Sequence, residues 1–285
     1  MVVSNRNRSE GWRHAKLDGH ANEKQFAESL INNKEFVSTI EKHLMKISQK
    51  GSPEISVDGS KHVESIFNDK TTSKVDLSLN CKGGQQINIS LKKSDSGQVW
   101  LISVPRFISA IEYHLNRKID LEVRIGISLF IGGSNLSNYE SYFNKALASN
   151  KKKNPSIAEQ ELHQSRLVAK SIETYFPSVW RSTLDFFNSN IGLITKLSFA
   201  QGLAKSEKES ADVIIYNKAV NEKSVFPIRK VIEDAISLTK LNPIIAGPKN
   251  GGSTLQLPTG FMQMHHPQGD NLIQFHHQYK KISKL

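Results

Sequence analysis

The chain has 285 residues, with 38 Lys and Arg against 27 Asp and Glu, a formal net charge of +11 and 38% hydrophobic residues. That is a folded globular composition with a basic surface, which points to a polyanionic partner, nucleic acid above all. One cysteine, Cys81, excludes an intramolecular disulfide. No apolar run approaches the roughly 20 residues of a membrane-spanning helix, and the start Met1–Arg8 has no secretory apolar segment, so a cytoplasmic protein is expected.

Residues 21–47 carry Phe26, Ala27, Leu30, Ile31, Phe36, Val37, Ile40 and Leu44 at spacings of three and four, which predicts helix, interrupted at Asn32–Asn33. Lys74–Leu79 and Ile87–Lys93 alternate apolar and polar residues, the pattern of half-buried strands, and Gly83–Gly84 between them predicts a hairpin turn. A third strand is expected over Gln98–Val104. Pro105 then opens a helix with Phe107, Ile108, Ile111 and Leu115 on its apolar stripe. Helix dominates from about Leu136 to Asn190. Ala211–Tyr216 reads as strand, and Val225–Leu238 as mixed, then helical. Thr254–Leu257 and Leu272–His276 alternate like a terminal strand pair. The fold class is α/β (α+β): a mixed central sheet flanked by helices, with a helical middle segment.

One constellation carries chemistry. Ser90 and Lys92 share a strand face, and antiparallel pairing lets Asp76 join them. An acid and a lysine so placed suit phosphodiester hydrolysis, which needs an activated water and neutralised phosphate charge. Asp76 can anchor a magnesium ion, which commonly takes only one or two carboxylates. Lys92 can orient the attacking water or neutralise the phosphate. Val75–Asp76 followed by Ser90-Leu91-Lys92 resembles the PD-(D/E)xK nuclease superfamily, whose type II restriction endonucleases place an Asp on one strand and an acid-x-Lys triplet on the next.

The resemblance covers roughly residues 20–115 and departs from the family at Ser90, which stands where the second acid is expected. Some members of the family recruit that acid from a helix before the Asp strand, and Glu23 is the candidate. It falls on the helix's apolar stripe, an odd place for an unpartnered carboxylate. Glu28 lies off that stripe and reads as solvated. Glu112, on the helix after the third strand, is the reserve. The resemblance thus implies a restriction-endonuclease-like fold and a Mg2+-dependent endonuclease acting on double-stranded DNA as a homodimer. Its site comprises Asp76, Lys92, Glu23 and Ser90, with Asp76 and Glu23 as metal ligands. The whole chain, 1–285, reads as one nuclease domain. Its catalytic core spans about 20–130 and a helical subdomain about 136–200, and C-terminal strands over about 211–285 contribute to DNA recognition.

The alternatives are a non-catalytic DNA-binding protein on the same scaffold and a non-specific phage or repair nuclease. A second outline, Asp212 with Ile228-Arg229-Lys230, lacks the second acid and carries Pro227 where a central strand would run. Gln256, Gln263 and Gln274 are candidates for reading base edges, although polar faces of ordinary strands carry glutamine too. His265–His266 and His276–His277 offer at most one ligand each to a common site, so zinc is not expected.

Overall fold

The structure, a computed structural model, describes residues 53–56, 62–81, 86–92, 94–216, 225–266 and 270–284. The helix expected over 21–47, with Glu23, and the Gly83–Gly84 turn lie outside the described residues. In chain order the elements are β1 (Pro53–Ser56), β2 (His62–Glu64), β3 (Lys70–Thr72), β4 (Leu77–Cys81), β5 (Gln86–Lys92), β6 (Ser96–Ile102), α1 (Val104–Leu115) and α2 (Leu121–Ile131). There follow α3 (Glu140–Lys153), α4 (Pro155–Gln164), α5 (Ala169–Tyr175), α6 (Pro177–Ser189), α7 (Ile191–Lys196), β7 (Val213–Tyr216), β8 (Val225–Pro227) and α8 (Ile228–Leu241). The chain closes with β9 (Ile245–Ala246), β10 (Thr254–Leu257), β11 (Gly260–His265), β12 (Leu272–Gln278) and α9 (Tyr279–Ile282). The protein is a mixed α+β fold. No described helix is long and apolar enough to cross a membrane.

Two compact units interleave along the chain. One comprises Met1–Asp95 and Phe199–Arg229, the other Ser96–Ser198 and Lys230–Leu285. The first unit is built on a mixed sheet of order β1-β4-β5-β7-β8. β4 and β5 pair antiparallel with Leu77 opposite Ile89, and β5 pairs parallel with β7, Ser90 opposite Ile214. One face of these strands is apolar and buried, through Leu77, Ile87, Ile89, Val213 and Ile215. The other carries Ser78, Asn88 and Ser90, buried as well. β5 is thus covered on both faces and paired on both edges, which is why a short strand holds its register. β8 is the outer strand, where Pro227 is tolerated. The β2–β3 hairpin packs its end against the 201–204 loop: Ile66 N–H donates to the Leu203 carbonyl at 3.0 Å and Lys205 N–H to that of Glu64 at 2.9 Å.

The second unit is built on an antiparallel sheet of order β6-β12-β11-β10-β9. The third predicted strand therefore does not extend the β4–β5 sheet but pairs with β12. The expected pair β10 and β12 is separated by β11, which binds both. Phe261 on the open face of β11 blurs the alternation that would have marked this strand. An aromatic cluster joins sheet to helices: Trp100 stacks on Phe275 at 5.4 Å between centroids, and Phe107 lies 6.0 Å from Trp100 and 6.2 Å from Phe187. Such pairs add to their large burial.

The helices expected from Pro105, over the middle segment and from Pro177 all form. α2 is buried almost all round, from Val123 through Ile131 apart from Arg124. It packs on α6 at Gly126, where a Cβ would lie 1.9 Å from Thr183 Oγ1. Gly126→Ala should therefore force the helices apart and cost about 1–3 kcal/mol, and adding Thr183→Ala should recover part of the loss. Thermal unfolding of the two variants checks this, and equal stability of wild type and Gly126→Ala would contradict it.

Candidate active site

The site forms where β4 leaves the ladder. Asp76 N–H still bonds the Ile89 carbonyl at 2.8 Å. Its carboxylate then takes the place of the next backbone acceptor: Oδ2 receives the Leu91 N–H at 2.6 Å. Upstream, Ser73 Oγ accepts the Val75 N–H at 3.0 Å, a short side-chain turn that swings the chain away from the sheet. Asp76 is thereby pinned across from Ser90. Ser90 is fully buried, and its hydroxyl accepts a hydrogen bond from Lys92 Nζ at 2.7 Å. Ser90 and Lys92 share one face of β5, and the register sets Asp76 opposite Ser90, with Asp76 and Lys92 partly exposed.

A fourth group belongs here and was not assigned from sequence. Lys74 runs past Gly202, whose Cβ, if it had one, would lie 3.3 Å from Lys74 Cε and 3.4 Å from its Cγ. Gly202 has φ +60°, a backbone conformation open to glycine, so the loop supplies both the bend and the channel. Burial, then the charge of Lys92, pushes the Lys74 amine down to about 7, with Asp76 partly offsetting both. The only sequence signal was its spacing, two residues before Asp76 on the same parity. Lysines at strand starts are ordinarily solvated, so that signal is weak.

Beneath these groups Asn88 is a structural knot. Its side-chain amide donates to the carbonyls of Lys208 and Ser210 at 2.8 and 2.9 Å, and its carbonyl oxygen accepts from Ser78 Oγ at 2.9 Å. Its backbone N–H donates to Asp212 Oδ2 at 2.8 Å, while Asp212 N–H returns to the Asn88 carbonyl at 2.7 Å. Asp212, the acid of the second outline, is held above the usual carboxylate range by burial, against the Asn88 bond. Its partners are those of a strand clamp. Lys230 of the same outline pairs with Asp234.

Glu112 is likewise engaged. Its Oε1 accepts the Ile119 N–H at 2.8 Å and pairs with Arg124, and its Oε2 pairs with Lys118 at 3.3 Å. These contacts lock the α1–α2 connection and hold its carboxyl below the usual range despite burial. Glu23 lies outside the described residues. Among the described residues no three His, Cys, Asp or Glu side chains cluster to hold a metal. One Asp76 oxygen is not used by Leu91, so the described residues offer a single carboxylate donor here, where magnesium commonly takes one or two.

No family model matches the chain, and no curated protein sequence does. Among solved structures the chain is similar to the restriction endonuclease MspI in complex with its cognate DNA. Identity is 11% and the TM-score 0.44, over 88% of this chain and 83% of that one.

Lys74 gives a pH signature. Its amine titrates near 10.5 when unconstrained and near 7 in the fold. Between these values the unfolded chain holds the extra proton, so this group makes stability rise with pH across that window. Below about 7 its full penalty is present. Relative to Lys74→Met, wild type should therefore lose stability as pH falls from 10 towards 7. Denaturant titrations of both proteins across that range test this, and parallel curves would contradict the buried amine.

Proposed function

We propose that this chain is a magnesium-dependent endonuclease that hydrolyses phosphodiester bonds in double-stranded DNA, sequence-specific and homodimeric in the manner of type II restriction enzymes. The observation that carries the reading is the placement of Asp76, Ser90 and Lys92 where the chain entering β4 runs beside the central strand β5. Asp76 is fixed by Leu91 N–H, and the Lys92 amine is held at 2.7 Å by Ser90. The net charge of +11 supports a polyanionic substrate. Asp76 and, from the preceding segment, Glu23 hold the cation, which when bound polarises the phosphate and lowers the pKa of a coordinated water. Lys92 faces the phosphate and neutralises charge developing on it. Ser90 does not act as a ligand. It restrains the flexible lysine stem, which reduces the entropy lost when the amine meets substrate.

Incubation of the full chain with phage DNA and Mg2+, read on a gel, tests the reading. A defined banding pattern is expected. Asp76→Ala and Glu23→Gln should abolish it, and Lys92→Ala should slow cutting by about a hundredfold or more. Glu28→Gln should cut normally. Cutting by Asp76→Ala at the wild-type rate overturns the site. Wild type that binds DNA in Ca2+ but never cuts it makes the chain a DNA-binding protein on this scaffold. In Ca2+, log affinity should fall linearly with log salt, with a slope of about −0.9 per phosphate contacted. A flat response argues against DNA.

A further inference from the structure

The sheet of the second unit has two unlike faces. One is apolar and buried, through Trp100, Ile102, Leu255, Leu257, Met262, Ile273 and Phe275. The other is open and carries an unusual row of amides. Gln263 Nε2 donates to Gln274 Oε1 at 2.9 Å, and Gln274 Nε2 donates to Gln98 Oε1 at 2.7 Å. Gln274 is 7% exposed and sits in the middle of the relay, while Gln98 is exposed and Gln263 half-buried. Beside the row, the His276 ring stacks on Phe261 at 4.5 Å between centroids and 7° between planes. Gln263 Nε2 lies 3.5 Å from His276 Nε2.

A solvated sheet face needs none of this. Ordinary open faces mix lysine, glutamate and threonine, and pairs of opposite charge stabilise them. Here β6, β10, β11, β12 and α9 contain no Asp or Glu at all, and α9 brings Lys280 and Lys281 to the sheet's end. Lys281 folds back to donate to Gln256 Oε1 and to the carbonyls of Leu257 and Gly260 at 3.2, 2.9 and 2.7 Å. Burial and the neighbouring His265 hold His276 below the usual histidine range. An acid-free surface with lysines at its margin complements phosphate. Strands of a sheet can present side chains to a DNA groove, and a glutamine amide pairs bidentately with adenine in the major groove.

We propose that the open face of β6, β12 and β11 is a base-reading surface for duplex DNA. Gln263 and Gln98 are its contact amides, Gln274 is the positioning residue that fixes their orientation, and Phe261 is an apolar contact for thymine methyl groups. The relay lowers the cost of binding, because amides already aligned lose less rotamer freedom on meeting a base edge. The proposal rests on the endonuclease reading for its ligand, but its test does not depend on cutting.

Selection from a library of duplexes with a randomised centre, in Ca2+ and on the Asp76→Ala background, is the experiment. The parent should enrich one defined sequence. Gln263→Leu should lose discrimination at one base position by about ten- to a hundredfold, the range expected for a lost bidentate contact. Its affinity for a fixed non-enriched duplex should not change. Gln263→Glu, which keeps the side-chain shape, should move the preference at that position towards cytosine. Lys280→Ala should weaken all sequences alike and lower the salt slope by about one. If the parent enriches nothing, or if both Gln263 variants enrich the parent's sequence with unchanged discrimination, the proposal is wrong. A wild type that cuts DNA while the variants keep its specificity sinks this surface alone. A wild type that never cuts while the selection behaves as described sinks the nuclease reading alone.

Discussion

Everything in the first unit depends on the double closure of β5. A strand paired on both edges and covered on both faces cannot slip, and Asn88 is the residue that makes slippage costly. It binds Ser78 on one neighbouring strand and Asp212, Lys208 and Ser210 at the other. Moving the register by one residue would bury these polar groups without partners, and each such group costs about 1–3 kcal/mol. Because the register is held, Ser90 stands opposite Asp76 rather than one residue away, with Lys92 two residues further along the same face.

The site is economical in negative charge. Asp76 uses one oxygen to finish the sheet ladder at Leu91, which aims the rest of its carboxylate, and both nearby lysines press positive charge on the same small space. Burial relieves the crowding by disfavouring the protonated form of Lys74, the more enclosed of the two. Structural acids here look different: Glu112 has both oxygens committed to fixed local donors.

Much of this was legible in the residues. The alternation around Asp76 and Lys92 is visible because one face of β4 and β5 is purely apolar, and Pro105 and Pro177 announce the helices they start. Other parts were not. α2 shows little amphipathic stripe because it is buried almost all round beyond its first turn, so periodicity cannot find it. Asn88 and Ser90 look like open-face residues, yet their burial depends on partners or a covering strand more than a hundred residues away. The channel for Lys74 is supplied by Gly202, equally remote. The amide row across β11, β12 and β6 joins glutamines 176 positions apart, which no local pattern reveals.

The interleaving of the two units has a consequence for biosynthesis. Asn88 and Asp212 are 124 positions apart, and the segment between them includes Ser96–Ser198 of the other unit. At about 5–20 residues per second, a ribosome takes roughly 6 to 25 seconds to bridge that gap. During this interval β5 has one open edge, and the loop that encloses Lys74 has yet to be made. The nascent chain carries Asp76, Ser90 and Lys92 before β7 pairs beside them. The strand that carries Ser90 and Lys92 thus gains its second neighbour only after the whole of Ser96–Ser198 has been synthesised, so chain order sets when this sheet closes.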